Sequence, residues 1–231
     1  MVDRKNIIRY NFRMFFSLLA QVVIFFYAAG ELEIPRAWFF FVLTFIYYLS
    51  SFIILYKLVP ETINQRGGSA FRKDTKPWDI LILLLYAIFG IFGQFYVAGW
   101  DMGHINFWPL GLEYLGIGLV LYFISIILIM WAMIQNPFFE PTMRIQKERR
   151  QKVIKSGPYQ IVRHPGYLSV ILWHLAIPMI LGSSLALIYS SIIILLLIIR
   201  TYLEDKTLQK ELEGYREYNQ ETKFRLLPFV W

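Results

Sequence analysis

PGYLSVILWHLAIPMIL-GSS-LALIYSSIIILLLIIR, residues 165–200, decides the fold. Two apolar runs flank Gly182-Ser183-Ser184, and nothing charged interrupts them before Arg200. An α-helix rises 1.5 Å per residue, so about 20 apolar residues cross a hydrocarbon layer of about 30 Å. The connection is a tight turn in which a serine is ready to cap the second helix. The stretch therefore predicts an antiparallel helical hairpin, with Pro178 near the outer end of its shorter arm. Its open end carries the polar residues. Arg163-His164-Pro165-Gly166-Tyr167 enters the first arm, and Arg200-Thr-Tyr-Leu-Glu204 leaves the second. Two stretches distant in sequence thus reach one membrane face.

The rest of the chain has the same character. Of 231 residues, 57% are hydrophobic and 18% aromatic, and the mean hydropathy is +0.49. Those values exclude a soluble domain of this size. Further apolar segments lie at 12–30, 37–59, 78–99 and 110–134, and the hairpin arms at 165–181 and 184–203 bring the predicted spans to six. Breaks between them have physical causes, such as Asn136-Pro137, where proline lacks the amide hydrogen a helix needs. The expected fold class is all-α, a polytopic integral membrane helical bundle of about six transmembrane helices. Residues 1–135 supply helices one to four, and residues 136–231 form a functional core of loop, hairpin and C-terminal tail.

Orientation follows from charge. With the N-terminus in the cytoplasm, segments 1–13, 57–77, 135–165 and 200–231 lie inside and hold every Lys and Arg except Arg36. Acidic Glu31, Glu33, Asp101 and Glu113 fall outside. This is the positive-inside pattern, and Trp38, Trp78, Trp100 and Trp108 stand near span ends as interfacial aromatics do. The net charge of +7 is thereby accounted for as topology, with no nucleic acid required. Both termini and the polar face are expected in the cytoplasm. The basic N-terminus leads into a long apolar run without a short h-region, so no cleavable signal is expected. Without cysteine the chain has neither disulfides nor thiol chemistry. His104, His164 and His174 lack metal-ligand spacing. Leu208, Leu212, Tyr215 and Tyr218 recur at helical spacing and predict an amphipathic C-terminal helix on the cytoplasmic surface.

Each candidate site residue has a plain structural reading beside the functional one. Arg200 and Glu204 are four apart on one helix face, which suits an i,i+4 pair with the arginine snorkelling to headgroups. At that depth an arginine also suits a two-pronged grip on a substrate carboxylate or phosphate. Arg163-His164-Pro165 reads as basic flank plus a proline at the first helical turn. The Gly157-Pro158-Tyr159 turn ahead of it lets backbone approach a ligand. Tyr159 and Tyr167 can stack on a base or bracket a cation.

The ordered run of motifs adds a resemblance. Asn136-Pro-Phe-Phe139, Arg144-Ile-Gln146, Gly157-Pro-Tyr159, Arg163-His-Pro-Gly-Tyr167, Arg200-x-x-x-Glu204, Tyr215-x-x-Tyr218 and Arg225-Leu-Leu-Pro-Phe-Val-Trp231 together resemble the isoprenylcysteine carboxyl methyltransferase family. The related phospholipid N-methyltransferases share parts of the pattern. The resemblance covers roughly 136–231. It implies an integral membrane enzyme that uses S-adenosylmethionine at the cytoplasmic face on a lipid or prenylated acceptor. By position it implies cofactor contacts at Gln151, Lys152, Val153, Ile154, Tyr159, His164, Pro165, Gly166, Tyr167 and Glu204. It places the substrate arginine at Arg200, so that Arg200 and Glu204 are the expected catalytic pair. Methyl transfer from a sulfonium to an ionised carboxylate needs alignment in a water-poor site and no general base. Three alternatives stay open on sequence alone: N-methylation of an amine headgroup; an NADPH-dependent sterol-type membrane reductase, which shares the Arg-His-Pro-x-Tyr stretch; and a non-enzymatic membrane scaffold or transporter.

Overall fold

A computed structural model describes residues 3–68 and 71–231. Its helices are α1 Arg4–Ala29, α2 Pro35–Leu58, α3 Pro60–Gly67, α4 Pro77–Ile105, α5 Leu112–Gln135, α6 Pro165–Leu181, α7 Ser184–Glu211 and α8 Tyr215–Glu221. No strand occurs among the described residues. Proline stands at the start of α2, α3, α4 and α6, where a helix has no use for the missing amide hydrogen. Five helices (α1, α2, α4, α5 and α7) are long and apolar enough to cross a membrane. With 17 residues, α6 is the shortest of the apolar set, about 25 Å at the helical rise.

The hairpin forms as the sequence predicts. Gly182, at φ 102°, ends α6 by donating its amide to Pro178 O. That left-handed geometry suits glycine. Ser183 then caps α7, accepting from the amide of Ala186. At the same end Arg36 donates to the backbone oxygens of Ile180, Met179 and Leu110. The lone arginine outside the basic segments is thus a staple on this turn.

Three element boundaries differ from the sequence reading, the first being α1, which begins at Arg4 rather than at residue 12. The third span continues past residue 99 to Ile105, with π-helical turns at Ala87–Gly93 and Asp101–Ile105. Asp101 can sit inside it because its carboxylate accepts from Ser183 Oγ at 2.6 Å, Phe107 N at 2.9 Å and Leu185 N at 3.2 Å. A buried acid so supplied need not end a helix. At the other end α7 runs to Glu211, and only the seven residues of α8 follow a break at Gly214. In place of one amphipathic surface helix, Leu208, Leu212, Tyr215 and Tyr218 are buried against Ala132, Met143 and Tyr159.

The apolar core lies where α1, α2, α4, α5 and α6 meet, around Phe25, Phe40, Tyr122, Ile177 and Leu181. The α5–α6 contact is the most extensive in the molecule. Beyond it, the 136–164 loop, the α6 start, the lower half of α7 and α8 form a polar end-piece.

Candidate active site

The end-piece encloses a cavity of about 450 Å³, within the size range of sites for cofactors and drug-sized ligands. Gln151, Lys152, Val153, Ile154, Tyr159, His164, Pro165, Gly166, Tyr167, Arg200 and Glu204 all line it. A second chamber of about 160 Å³ adjoins it, sharing Tyr86, Ile129 and Val170 as wall. This chamber reaches between α1, α2, α5 and α6 at Met14, Tyr47, Ser125 and Trp173.

The loop wall is built first. Asn136 ends α5; its side chain accepts from Phe138 N at 2.9 Å and donates to Tyr159 Oη at 3.1 Å. Tyr218 of α8 donates to Tyr159 O at 2.6 Å. Burial pushes the Tyr159 and Tyr218 phenols well above their ordinary value, so both remain protonated donors. Gln151 is a loop tie: its side-chain oxygen accepts from Gln146 N at 2.8 Å, and its amide donates to Gln146 O at 3.2 Å. Val153 and Ile154 pack on the cluster around Leu208, Leu212 and Tyr215. The amides of residues 152–155 donate to no group among the described residues. Those of 152–154, which line the cavity, are therefore free for a ligand there.

Arg144 braces the loop from behind. It donates to Glu140 at 2.8 and 3.0 Å, to Glu148 at 2.7 Å and to Asp74 at 3.0 Å. Burial alone would lower its pKa; the hydrogen bonds to the three acids outweigh that and raise it. The bond from Arg144 in turn holds the Glu148 carboxyl below its ordinary value.

Asp205, wholly buried, ties the floor of the end-piece together. It accepts from Arg163 at 2.8 and 3.2 Å, Arg225 at 2.9 Å, Tyr215 Oη at 2.9 Å and Gln209 at 2.8 Å. His164 Nε2 lies 3.2 Å from the same carboxylate, and its Nδ1 lies 3.7 Å from Glu204. Arg163 also donates to Thr222 O and Lys223 O, which fastens the C-terminal tail. So Arg163 and Asp205 are scaffold, while His164 is a tethered wall residue with one edge toward the cavity.

Arg200 and Glu204 share the wall but do not pair. Glu204 accepts from Tyr167 Oη at 2.5 Å. Arg200 turns to Asp79 of α4, giving it Nε at 2.7 Å and Nη2 at 3.1 Å, and gives Nη2 also to Pro141 O at 2.6 Å. Its guanidinium stands 5.3 Å from the Tyr167 ring centre. Asp79 is fully buried and also accepts from Met143 N at 2.6 Å, so it joins α4, α7 and the loop. The two-pronged face of Arg200 expected to hold a substrate carboxylate is engaged with Asp79, and only Nη1 remains for a ligand.

Sequence reasoning missed Asp79, Asp205, Tyr86 and Arg66, which all bear on this site. Asp79 had a signal: an acid two residues into an apolar span is costly without a partner.

Residues 117–210 match the model of the isoprenylcysteine carboxyl methyltransferase family. The match covers less than half of the chain. The matched segment takes in most of α5, the loop, the hairpin and nearly all of α7, which together form most of the cavity. No curated protein matches the chain. Among solved structures, the eukaryotic intramembrane Ras methyltransferase ICMT, determined without a monobody, is similar with a TM-score of 0.55. Identity is 17%, over 92% of this chain and 74% of that one, a likeness of fold. The lining fits S-adenosylmethionine, the donor that the matched family implies, on two observations. A glutamate on the cavity wall can take the cofactor's amino group, and the undonated 152–154 amides can take its polar edge.

Proposed function

We propose that this protein transfers a methyl group from S-adenosylmethionine to the carboxylate of a lipidic acceptor of the prenylcysteine type, at the cytoplasmic face of its membrane. The observation that carries this reading is the adjacency of two chambers, one lined in part by charged side chains and one by none, which share Tyr86, Ile129 and Val170 as wall. A hydrophilic cofactor and a membrane-soluble acceptor need such a pair of neighbouring environments. The structurally similar Ras methyltransferase is itself intramembrane, which agrees.

Bound S-adenosylmethionine supplies an electrophilic methyl group on a sulfonium. Around it, residues 151–154 would hold the cofactor through backbone, with Tyr159 and the His164–Tyr167 turn closing the wall. Glu204, oriented by Tyr167 Oη, would bind the cofactor's amino group. Arg200, fixed by Asp79, would present Nη1 to an acceptor oxygen and set its line of approach. The apolar second chamber would take the acceptor's tail and keep water from the reacting atoms, where alignment supplies most of the rate.

The deciding experiment is incubation of purified protein and native lipid extract with methyl-labelled S-adenosylmethionine, followed by product identification. A base-labile label supports the ester. A base-stable label, formed at a rate that rises through an amine pKa, would replace it with N-methylation. Tight NADPH binding without S-adenosylmethionine binding would overturn methyl transfer altogether.

A further inference from the structure

We propose that Arg66, on the last turn of α3, is the residue that binds the acceptor's carboxylate. The inference rests on the methyl-transfer reading above and assigns to that site an anchor outside the 117–210 segment matched by the family.

The argument begins with charge. Five basic side chains line the main cavity: Arg66, Arg144, Lys152, Arg163 and Arg200. Arg144 is bound to Glu140, Arg163 to Asp205 (which Arg225 shares) and Arg200 to Asp79, so each is already engaged with a carboxylate. A second anion gains little from such a neutralised pair. Lys152 belongs to the exposed loop on the cofactor side. Arg66 differs from all four. Among the described residues no carboxylate lies within ion-pair distance of it, and its Nε is buried without any acceptor. A guanidinium N–H removed from water and left unmatched is unfavourable unless something fills the position. Arg66 is held by its face instead, 5.4 Å from the centre of the Phe139 ring. Stacking leaves the edge donors free, and edge donors are what a carboxylate takes.

Position selects the acceptor over the cofactor. α3 packs against α1 and α2, the helices that contribute Met14, Tyr47 and Tyr48 to the apolar chamber. The 151–154 segment packs instead on Leu208, Leu212 and Tyr215. Arg66 thus stands on the chamber side of the main cavity. An acceptor with its tail in that chamber brings its acidic end into the space between Arg66 and Arg200 Nη1. Arg66 would supply the uncompensated charge and Arg200 the direction. The same placement favours an acid over an amine as acceptor, since a protonated amine would meet an unanswered cation.

The test compares an N-acylated S-prenyl cysteine with its carboxamide analogue, which is neutral and cannot be methylated. In Arg66→Gln the KM for the acid rises roughly 10- to 100-fold, the loss of one charged hydrogen-bonding partner. The inhibition constant of the carboxamide and the directly measured Kd for S-adenosylmethionine stay within about threefold, and Arg66→Lys recovers part of the acid's affinity. Equal weakening of acid and carboxamide would make Arg66 a structural staple on Phe139 and overturn the inference. So would a weakened S-adenosylmethionine Kd with the acid's KM unmoved, which would assign Arg66 to the cofactor. If the wild-type protein binds S-adenosylmethionine but methylates no carboxylate, the acceptor reading falls first and takes this role with it.

Discussion

Removing Asp79 tests the buried joint between α4, α7 and the loop most sharply. Asp79→Ala deletes two hydrogen bonds to Arg200, at 2.7 and 3.1 Å, and one from Met143 N at 2.6 Å. Arg200 keeps Pro141 O but loses its counter-charge in a site where both side chains are nearly inaccessible. At an effective dielectric constant of about 20, opposite charges about 4 Å apart attract by about 4 kcal/mol. Stranding one partner of a buried pair costs about 3–5 kcal/mol, and the orphaned Met143 amide places this case at the upper end. Equilibrium unfolding by SDS in mixed micelles should therefore show a loss of about 3–5 kcal/mol for Asp79→Ala and for Arg200→Ala alike. The double variant Asp79→Leu/Arg200→Met removes both charges and restores apolar volume, so it should recover most of that loss while remaining inactive. Asp79→Ala within about 1 kcal/mol of wild type, the range of an unremarkable substitution, would refute the pairing. The joint also bears on any activity assay, because Arg200→Ala cannot be read as a purely catalytic lesion. Glu204→Ala, which strands only the Tyr167 hydroxyl, is the cleaner probe.

Other outcomes follow from particular contacts. A Cβ on Gly90 would stand 2.9 and 3.0 Å from the Tyr86 ring and 3.4 Å from His174, and Tyr86 is pinned by His174 Nε2 at 2.8 Å. Gly90→Ala should therefore cost about 1–3 kcal/mol of stability by overpacking, and by moving Tyr86 at the chamber junction it should raise the acceptor's KM while the Kd of S-adenosylmethionine stays put. Arg144 holds Glu148 below the ordinary glutamate value of 4.5, so this carboxylate's contribution to loop order is complete above that value and is lost as pH falls through the depressed one. Hydrogen exchange at 140–150 should rise on acidification in the wild type and less steeply in Glu148→Gln. Because the chain has no cysteine, single cysteines at exposed Glu33 and Glu221 give a clean topology test: an impermeant thiol reagent on intact cells should label the first and spare the second, and the opposite pattern would invert the orientation.

How far the sequence was legible depended on whether a signal was local. Helix ends set by Pro165 and Gly182 could be read because each residue limits its own backbone. The hairpin followed from a three-residue turn too short for any other arrangement. From it came the meeting of the Arg163–Tyr167 and Arg200–Glu204 stretches, which the structure brings to one cavity. Pairing across the bundle was different. Glu204 stands one helical turn from Arg200, so the local i,i+4 rule suggested a bond worth only a few tenths of a kcal/mol. Asp79, 121 residues away in sequence, offers a two-pronged bond in a dry site, and a dry site favours that partner strongly. The same competition decided the tail. Leu208, Leu212, Tyr215 and Tyr218 have the spacing of a helix on a membrane surface. Yet Tyr215 Oη finds Asp205 and Tyr218 Oη finds Tyr159 O, so the polar tips of an apolar face have internal partners. A lipid surface could not match both the ring and the hydroxyl of each residue. Periodicity therefore identified the apolar face, and the fixed acceptors inside the protein decided what it would cover.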